Sequence, residues 1–229
     1  MKRKFKKLLS KTNVVGVIAS EADLWLAIDH PEGIDMFELR VDKYTPDKRL
    51  LRKLERPLII TARCVEEGGY APRDPRKRIA LYLRYLEFAM FIDIEASTAI
   101  RLTGLIEKAR KRGIGIIISQ HVLKGPFEAP DTWSAAMACR IVQGDIFKAA
   151  LKTDSLDELG RFASCMSTIA RTYSVGIAGM AIGKSLGKLS RLIFGTTGSV
   201  LVYGSLDQAV VEGQWRAVEI KEMLAKVNA

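Results

Sequence analysis

The sequence has few of the residues on which disulfide frameworks and zinc sites depend. Only three cysteines, Cys64, Cys139 and Cys165, occur in 229 residues, and no two of them have the spacing of zinc ligands. Their odd number and wide separation predict reduced thiols. Apolar runs long enough to cross a bilayer are missing, and residues 8–10 do not begin the apolar core of a signal peptide. We therefore predict a cytoplasmic protein with no membrane span.

Acidic residues are absent from the first 11 positions, which hold six lysines and arginines. The net charge of the chain is +10, so the remaining residues carry only +4. This distribution argues against nucleic acid as the main partner and predicts that residues 1–12 are a flexible basic extension before a catalytic domain at 13–229. The extension could still bind RNA or a membrane surface in a protein whose domain is an enzyme. The basic excess of the domain suits an anionic substrate.

Eight short apolar runs rich in Val and Ile predict eight buried parallel strands. The runs are 14–20, 36–42, 58–64, 91–96, 115–121, 145–151, 173–179 and 200–204. Helical patterns lie between most of them, at 47–54, 75–89, 98–112, 131–142, 154–171, 186–194 and 214–227. Eight alternations of strand and helix in this length predict a single-domain α/β fold, the (β/α)8 TIM barrel. A doubly wound open sheet is the alternative, but no Gly-rich phosphate loop follows the first run.

Polar residues collect at the ends of five consecutive predicted strands, where the active site of such a barrel lies. The second strand ends with Glu38 and Arg40 on one face, and the third leads into Arg63 and Glu67. Asp93 and Glu95 share a face of the fourth, His121 ends the fifth, and the sixth carries Lys148. One such residue is more often a solvated loop charge than a catalyst. The repetition over five strands predicts an active site.

A lysine in the middle of the sixth predicted strand is the strongest chemical signal. Alternation places Ile146, Lys148 and Ala150 on one face of the strand. An ammonium in an apolar strand is costly unless it is paired or neutral, and a desolvated neutral amine can attack a carbonyl. The opposing interpretation is an edge strand whose lysine reaches water. With His121 as a proton shuttle near neutral pH, the pair suits an imine-based elimination or an aldol cleavage.

These residues, in this order, resemble the type I 3-dehydroquinate dehydratases. The resemblance rests on residues 38–42 (ELRVD), 61–63 (TAR) with 67–69 (EGG), His121, 145–150 (DIFKAA), 190–192 (SRL) and 213–214 (GQ). It covers nearly the whole chain from about Val14. It implies a hydro-lyase of the shikimate pathway that needs no metal and no organic cofactor, and a homodimer is compatible with it.

The resemblance also implies a role for each matched residue. Lys148 would form the imine with the C3 ketone of 3-dehydroquinate, His121 would move the protons of a syn elimination, and Glu67 would orient His121. The implied substrate-binding residues are Glu38, Arg40 and Arg63 for the ring hydroxyls, Arg191 for the carboxylate, Gln214 in a lid, and Ser20 at the end of the first strand.

The sequence departs from the family pattern after His121, at residues 179–187, which form a longer segment than usual, and in the lid. Other functions also remain in competition. Val122-Leu123 follows the histidine where an acid and an aromatic are usual, and the lid reads Val210-Val211-Glu212-Gly213-Gln214 in place of Ser-Ala-Pro-Gly-Gln. The lid therefore lacks a hydroxyl. Another imine-forming barrel lyase, such as a class I aldolase, is the alternative enzyme. An inactive barrel that binds a metabolite is the alternative outside catalysis.

Overall fold

Eight parallel strands form a barrel in the computed structural model, which describes residues 5, 8–207 and 213–227. Each strand begins close to a predicted apolar run. In chain order the strands are β1 (Asn13–Ile18), β2 (Met36–Arg40), β3 (Leu58–Thr61), β4 (Ala89–Glu95), β5 (Gly115–Val122), β6 (Ile146–Lys152), β7 (Gly176–Ile182) and β8 (Leu201–Ser205). The predicted TIM barrel is confirmed.

Helices follow the strands and cover the outside of the barrel. They are α1 (Glu21–Asp29), α2 (Lys48–Leu51), α3 (Pro75–Tyr85), α4 (Ala96–Ala99), α5 (Thr103–Lys111), α6 (Ala129–Ile141), α7 (Leu156–Tyr173), α8 (Lys184–Thr196) and α9 (Ala217–Val227). Short 3-10 turns at Val65–Glu67, Leu86–Phe88 and Ile100–Leu102 complete the described elements. None of the described helices is long and apolar enough to cross a membrane.

The strand order is β7-β6-β5-β4-β3-β2-β1-β8, so every sequential pair from β1 to β7 is hydrogen-bonded and β8 returns to β1. β7 and β8 stand at the two ends of this order, and the described residues join them by isolated contacts in place of a regular ladder. There the backbone N–H of Val200 donates to the carbonyl of Ile177 at 2.7 Å, and Ile177 forms a single bridge with Ser199. Side chains that alternate along the strands therefore point either into the barrel or toward the helices.

Two apolar cores result from this alternation. The inner core contains Ile146 and Ala150 of β6, while Phe147, Ala149 and Leu151 of the same strand belong to the outer core beneath the helices. The alternation predicted for the lysine strand is therefore confirmed. Apolar residues fill most of the lower barrel, and the polar residues that line the cavity lie above them, toward the carboxyl ends of the strands.

The predicted element bounds differ from the structure mainly at α1 and β7. No helix was expected after β1, yet Ser20 caps α1 by accepting from the backbone N–H of Asp23 at 3.2 Å. The strand predicted at 173–179 begins three residues later, because α7 extends to Tyr173 and ends at Ser174 in the left-handed conformation. The aromatic and β-branched residues at 173–175 have the composition of a strand, but the helical packing of α7 continues through Tyr173.

The described part of the N-terminal segment packs against the barrel. Phe5 is 1% exposed in the inner core, with its ring 4.7 Å from that of Phe91, and Leu8 and Leu9 pack against the same core. We expected a flexible extension at 1–12 because its charge is so one-sided. Phe5, Leu8 and Leu9 cover the amino-terminal end of the barrel, while the domain boundary at residue 12 stays a prediction.

Candidate active site

Eight of the nine predicted site residues line one cavity of about 150 Å³ at the carboxyl end of the barrel. They are Glu38, Arg40, Arg63, Glu67, His121, Lys148, Arg191 and Gln214. Ser20 is not among the lining residues, since its hydroxyl caps α1 and donates to the Asp23 carboxylate at 2.8 Å. A larger cavity of about 690 Å³ lies at the opposite end, around Cys139 and the starts of β6 to β8, and contains none of the predicted residues.

Lys148 is 3% exposed, and its ammonium is held by two carboxylates. Its Nζ donates to Oδ2 of Asp93 at 2.9 Å and to Oε1 of Glu38 at 3.2 Å. The face of the Tyr203 ring lies 3.9 Å from the same nitrogen. The sequence alone left open whether this amine is paired or neutral. In the structure the two carboxylates compensate the charge, so a proton must leave Nζ before the amine can attack a carbonyl.

These pairs belong to a buried chain of alternating charges. Arg63 donates through Nη2 to Asp93 at 2.9 Å and through Nη1 to Glu95 at 3.0 Å, and Glu95 also pairs with Arg78 of α3. Counting Lys148 and Glu38, three cations and three carboxylates alternate in this network, and Glu67 lies 4.0 Å from Arg63 as a further carboxylate. Such full pairing is what makes buried charges tolerable.

Two hydroxyl groups fix the orientation of the carboxylates in this row of charges. The Ser119 hydroxyl donates to Asp93 at 2.6 Å, and Thr61 donates to Glu38 at 2.8 Å. Burial opposes ionisation of Asp93, but Arg63 and Lys148 outweigh it and hold the pKa of Asp93 well below its usual value. Burial likewise opposes the charge of Arg63, while Asp93, Glu67 and Glu38 raise its pKa above the usual value. Both groups therefore stay ionised at neutral pH.

His121 is held as a neutral base. Oε2 of Glu67 accepts from the His121 backbone N–H at 2.8 Å and lies 2.9 Å from Nδ1. Burial, followed by the charges of Arg63 and Lys148, lowers the pKa of His121 well below the ordinary value. Because the carboxylate of Glu67 accepts, Nδ1 carries the proton and Nε2 keeps its lone pair for a substrate proton.

Glu67 occupies this position because the chain turns sharply after β3. The turn Val65–Glu67 ends at Gly68, whose φ of 81° is left-handed, and Gly68 itself lines the cavity. Burial raises the pKa of Glu67, although Arg63 opposes this effect. The Ser97 hydroxyl donates to its second oxygen at 3.3 Å. One oxygen of Glu67 thus contacts both the backbone N–H and the imidazole of His121, and this pair of contacts orients the ring.

Arg191 is a buried guanidinium held by backbone carbonyls. It is 2% exposed, and it donates to the carbonyls of Tyr203 at 2.9 Å, Gly187 at 2.5 Å and Gly213 at 3.1 Å. Burial lowers its pKa to about 10, so it stays cationic at neutral pH. No carboxylate in the described parts of the chain pairs with it. A buried cation of this kind suits an anionic group on a ligand.

Arg40 and Gln214 complete the polar part of the cavity wall. Arg40 forms a two-point ion pair with Asp42, at 2.9 and 2.7 Å, and this pair fixes the guanidinium of a residue that lines the cavity. Gln214 is 8% exposed and follows Gly213, whose φ is 76°. The lid positions Val210, Val211 and Glu212 lie outside the described residues.

Three residues at the site were not assigned roles from the sequence. The sequence marked Asp93 only as a strand-end charge, but it is the nearest partner of Lys148. Met180 and Tyr203 line the cavity and were not predicted as site residues. The available signal was strand alternation. Tyr203 is two residues from the inward-facing Leu201, and Met180 is two from the inward-facing Ala178.

The site can bind an anionic, hydroxylated ring and move protons beside a reactive amine. Lys148 supplies the amine, His121 the base, and Arg191 the anion contact, within apolar walls that include Val17, Ala150 and Ile182. Apolar walls exclude water and strengthen the charge interactions inside.

Comparison with known proteins agrees with this geometry. Residues 17–228 match the family model for type I 3-dehydroquinase. The 3-dehydroquinate dehydratase of Aquifex aeolicus is 32% identical over 206 residues, which cover 85% of this chain and 89% of that protein. The enzyme of the same name from Thermococcus gammatolerans is 29% identical over 219 residues, covering 93% and 97%.

Solved structures show the same fold. The structure of the Aquifex aeolicus 3-dehydroquinate dehydratase superposes with a TM-score of 0.77 at 27% identity, covering 93% of this chain and 98% of that one. The Geobacillus kaustophilus 3-dehydroquinate dehydratase gives 0.85 at 18% identity, covering 96% and 92%. Fold, cavity residues and family match agree, and the chain belongs to the type I 3-dehydroquinase family.

Proposed function

We propose that this chain dehydrates 3-dehydroquinate to 3-dehydroshikimate through an imine on Lys148, a step of the shikimate pathway toward aromatic amino acids. The observation that carries the proposal is the position of Lys148. Its amine is buried between Glu38 and Asp93 in a cavity that also holds His121 and the buried cation Arg191. The aldolase alternative loses its support because the family match covers residues 17–228.

The reaction begins with formation of the imine. Nζ of Lys148 gives its proton to a neighbouring carboxylate and attacks the C3 ketone, and water leaves as the iminium forms. The iminium is an electron sink for the adjacent carbon. Arg191 binds the substrate carboxylate, while Glu38, Arg40, Arg63 and Gln214 hold the ring.

His121 performs the proton transfers of the elimination. Nε2 removes a proton from C2, and the C–H electrons move into the iminium to give an enamine. The same imidazole then protonates the C1 hydroxyl as it departs, so the elimination is syn and releases one water. Hydrolysis of the imine returns Lys148 and releases 3-dehydroshikimate. Glu67 keeps the imidazole in one tautomer throughout.

The partners and the location of the enzyme are part of the same proposal. The substrate is a free small molecule, and we propose that the enzyme works in the cytoplasm without a nucleic-acid or membrane partner. A homodimer is compatible with the cavity, because all the proposed roles fall to residues of one chain.

The direct test is to incubate the purified chain with 3-dehydroquinate and follow the conjugated enone in the ultraviolet. We expect turnover by the wild type and none by Lys148→Ala. Lys152→Ala is the matched control, since Lys152 lies on the same strand face but is more exposed and pairs with Asp154. A wild type that forms no enone, or a Lys148→Ala variant that keeps its rate, contradicts the proposal.

A further inference from the structure

The hydroxyl of Tyr203 is buried in the cavity wall without a hydrogen-bond partner among the described residues. Tyr203 is 3% exposed, and its ring belongs to the inner core above Leu201. A buried hydroxyl without a partner loses its hydration and gains nothing in return, which costs stability. Most such groups in folded proteins are satisfied, so this exception calls for a cause.

Two other buried tyrosines in the same protein follow the usual pattern. The Tyr82 hydroxyl donates to the carbonyl of Asp93 at 2.6 Å, and the Tyr85 hydroxyl donates to the carbonyl of Pro46 at 3.0 Å. Both lie outside the cavity, packed between α3 and the barrel. The difference is location, because the hydroxyl of Tyr203 alone among the three belongs to a residue of the cavity wall.

The position of Tyr203 relative to the reactive amine is fixed from two sides. Its backbone carbonyl accepts from Arg191 Nε at 2.9 Å, and its ring face lies 3.9 Å from Lys148 Nζ. Burial, and then the charges of Glu38 and Asp93, raise the pKa of the phenol well above its usual value, so the hydroxyl keeps its proton. A protonated phenol both donates and accepts hydrogen bonds.

We propose that Tyr203 is a substrate-binding residue, whose hydroxyl forms its missing hydrogen bond with a hydroxyl oxygen of the substrate ring. This inference rests on the proposed function and adds a specificity contact beside the imine. It places within the barrel wall a hydroxyl of the kind that the lid sequence at Val210 does not carry. Rings with a hydrogen in place of that hydroxyl would leave the phenol unpaired and bind less well.

The proposal predicts that Tyr203→Phe weakens substrate binding without loss of stability, and that Tyr85→Phe lowers stability without a change in substrate binding. Tyr203→Phe removes a hydroxyl that has no partner in the free protein, so its melting temperature should be unchanged or higher. Its KM for 3-dehydroquinate should rise about 3- to 10-fold, within the range expected for one hydrogen bond. Tyr85→Phe removes a satisfied hydroxyl far from the cavity, so it should melt about 2–4 °C lower with an unchanged KM.

The measurement is steady-state kinetics on the wild type and both variants, with thermal melts of each in the absence of ligand. An unchanged KM in Tyr203→Phe, or a melting temperature that falls as far as in Tyr85→Phe, overturns the inference while leaving the dehydratase in place. Absence of turnover by the wild type is a different result, and overturns the proposed function together with the substrate contact built on it.

Discussion

At the scale of single residues, the protonation of His121 determines how activity should depend on pH. Its imidazole is neutral in the free site because burial and two neighbouring cations lower its pKa. A base with a lowered pKa stays ready to accept a proton in more acidic solution. We therefore expect the acid limb of kcat/KM against pH to lie below the value of about 6.5 that is typical of histidine. A limb at or above that value contradicts this account of the site.

The same shift predicts a pH dependence of stability. The unfolded chain binds a proton on His121 at a higher pH than the folded chain does, so the free energy of unfolding should fall as the pH drops below about 6.5. His121→Gln removes this titration and should flatten the decline. Denaturant unfolding of both proteins between about pH 5 and 8 makes the comparison. Equal slopes would show that His121 titrates alike in both states.

At the scale of elements, Arg191 shows how one strand, one helix and the segment before the last helix together build one anion contact. Its guanidinium binds the carbonyls of Tyr203 on β8, Gly187 on α8 and Gly213 before α9. A lysine keeps the charge but cannot make these several planar contacts at once. We expect Arg191→Lys to raise KM at least tenfold and to change kcat less. An unchanged KM would move the carboxylate contact to Arg40 or Arg63.

Element identity was easier to predict from the sequence than element partners. The lysine strand, its alternation and the strand-end charges follow from local pattern, which is why eight of nine site residues meet in one cavity. Ser20 shows the limit, because its hydroxyl could serve either a substrate or a helix cap. The S-x-x-D pattern at Ser20–Asp23 favours the cap, and the structure shows that cap.

The pairing of Lys148 could not be read from local pattern. Asp93 and Glu38 lie 55 and 110 residues away from it in the chain, and only the closed barrel brings them within 3.2 Å. The buried row of paired charges that includes Arg78 likewise depends on the register of β2, β3 and β4 and on how α3 packs against them. Long-range contacts of this kind depend on the assembled fold.

At the scale of the whole molecule, the two ends of the barrel have separate tasks. Polar residues form the site at one end, while Phe5, Leu8 and Leu9 pack against the inner core at the other. Phe5→Ala should therefore lower the free energy of unfolding by about 3–5 kcal/mol, as for other buried aromatics. Below its melting temperature, kcat and KM should remain those of the wild type.

Lys11→Ala is the control for that substitution. The Lys11 side chain is exposed and forms a long ion pair with Asp35, with 3.8 Å between Nζ and Oδ1. It should change stability by less than about 1 kcal/mol. Thermal or urea unfolding with parallel kinetics distinguishes the cases. If Phe5→Ala is as stable as Lys11→Ala, the segment does not close the barrel in solution.

The central claim is that Lys148 forms a covalent imine with the substrate, and borohydride trapping tests it most directly. Reduction in the presence of 3-dehydroquinate should inactivate the enzyme and add the mass of the reduced adduct to the peptide that contains Lys148. His121→Ala should lose turnover by about 100-fold or more while still being labelled, since proton transfer and imine formation use different groups. Labelling of Lys152 instead, or full activity with no label after reduction, contradicts the account.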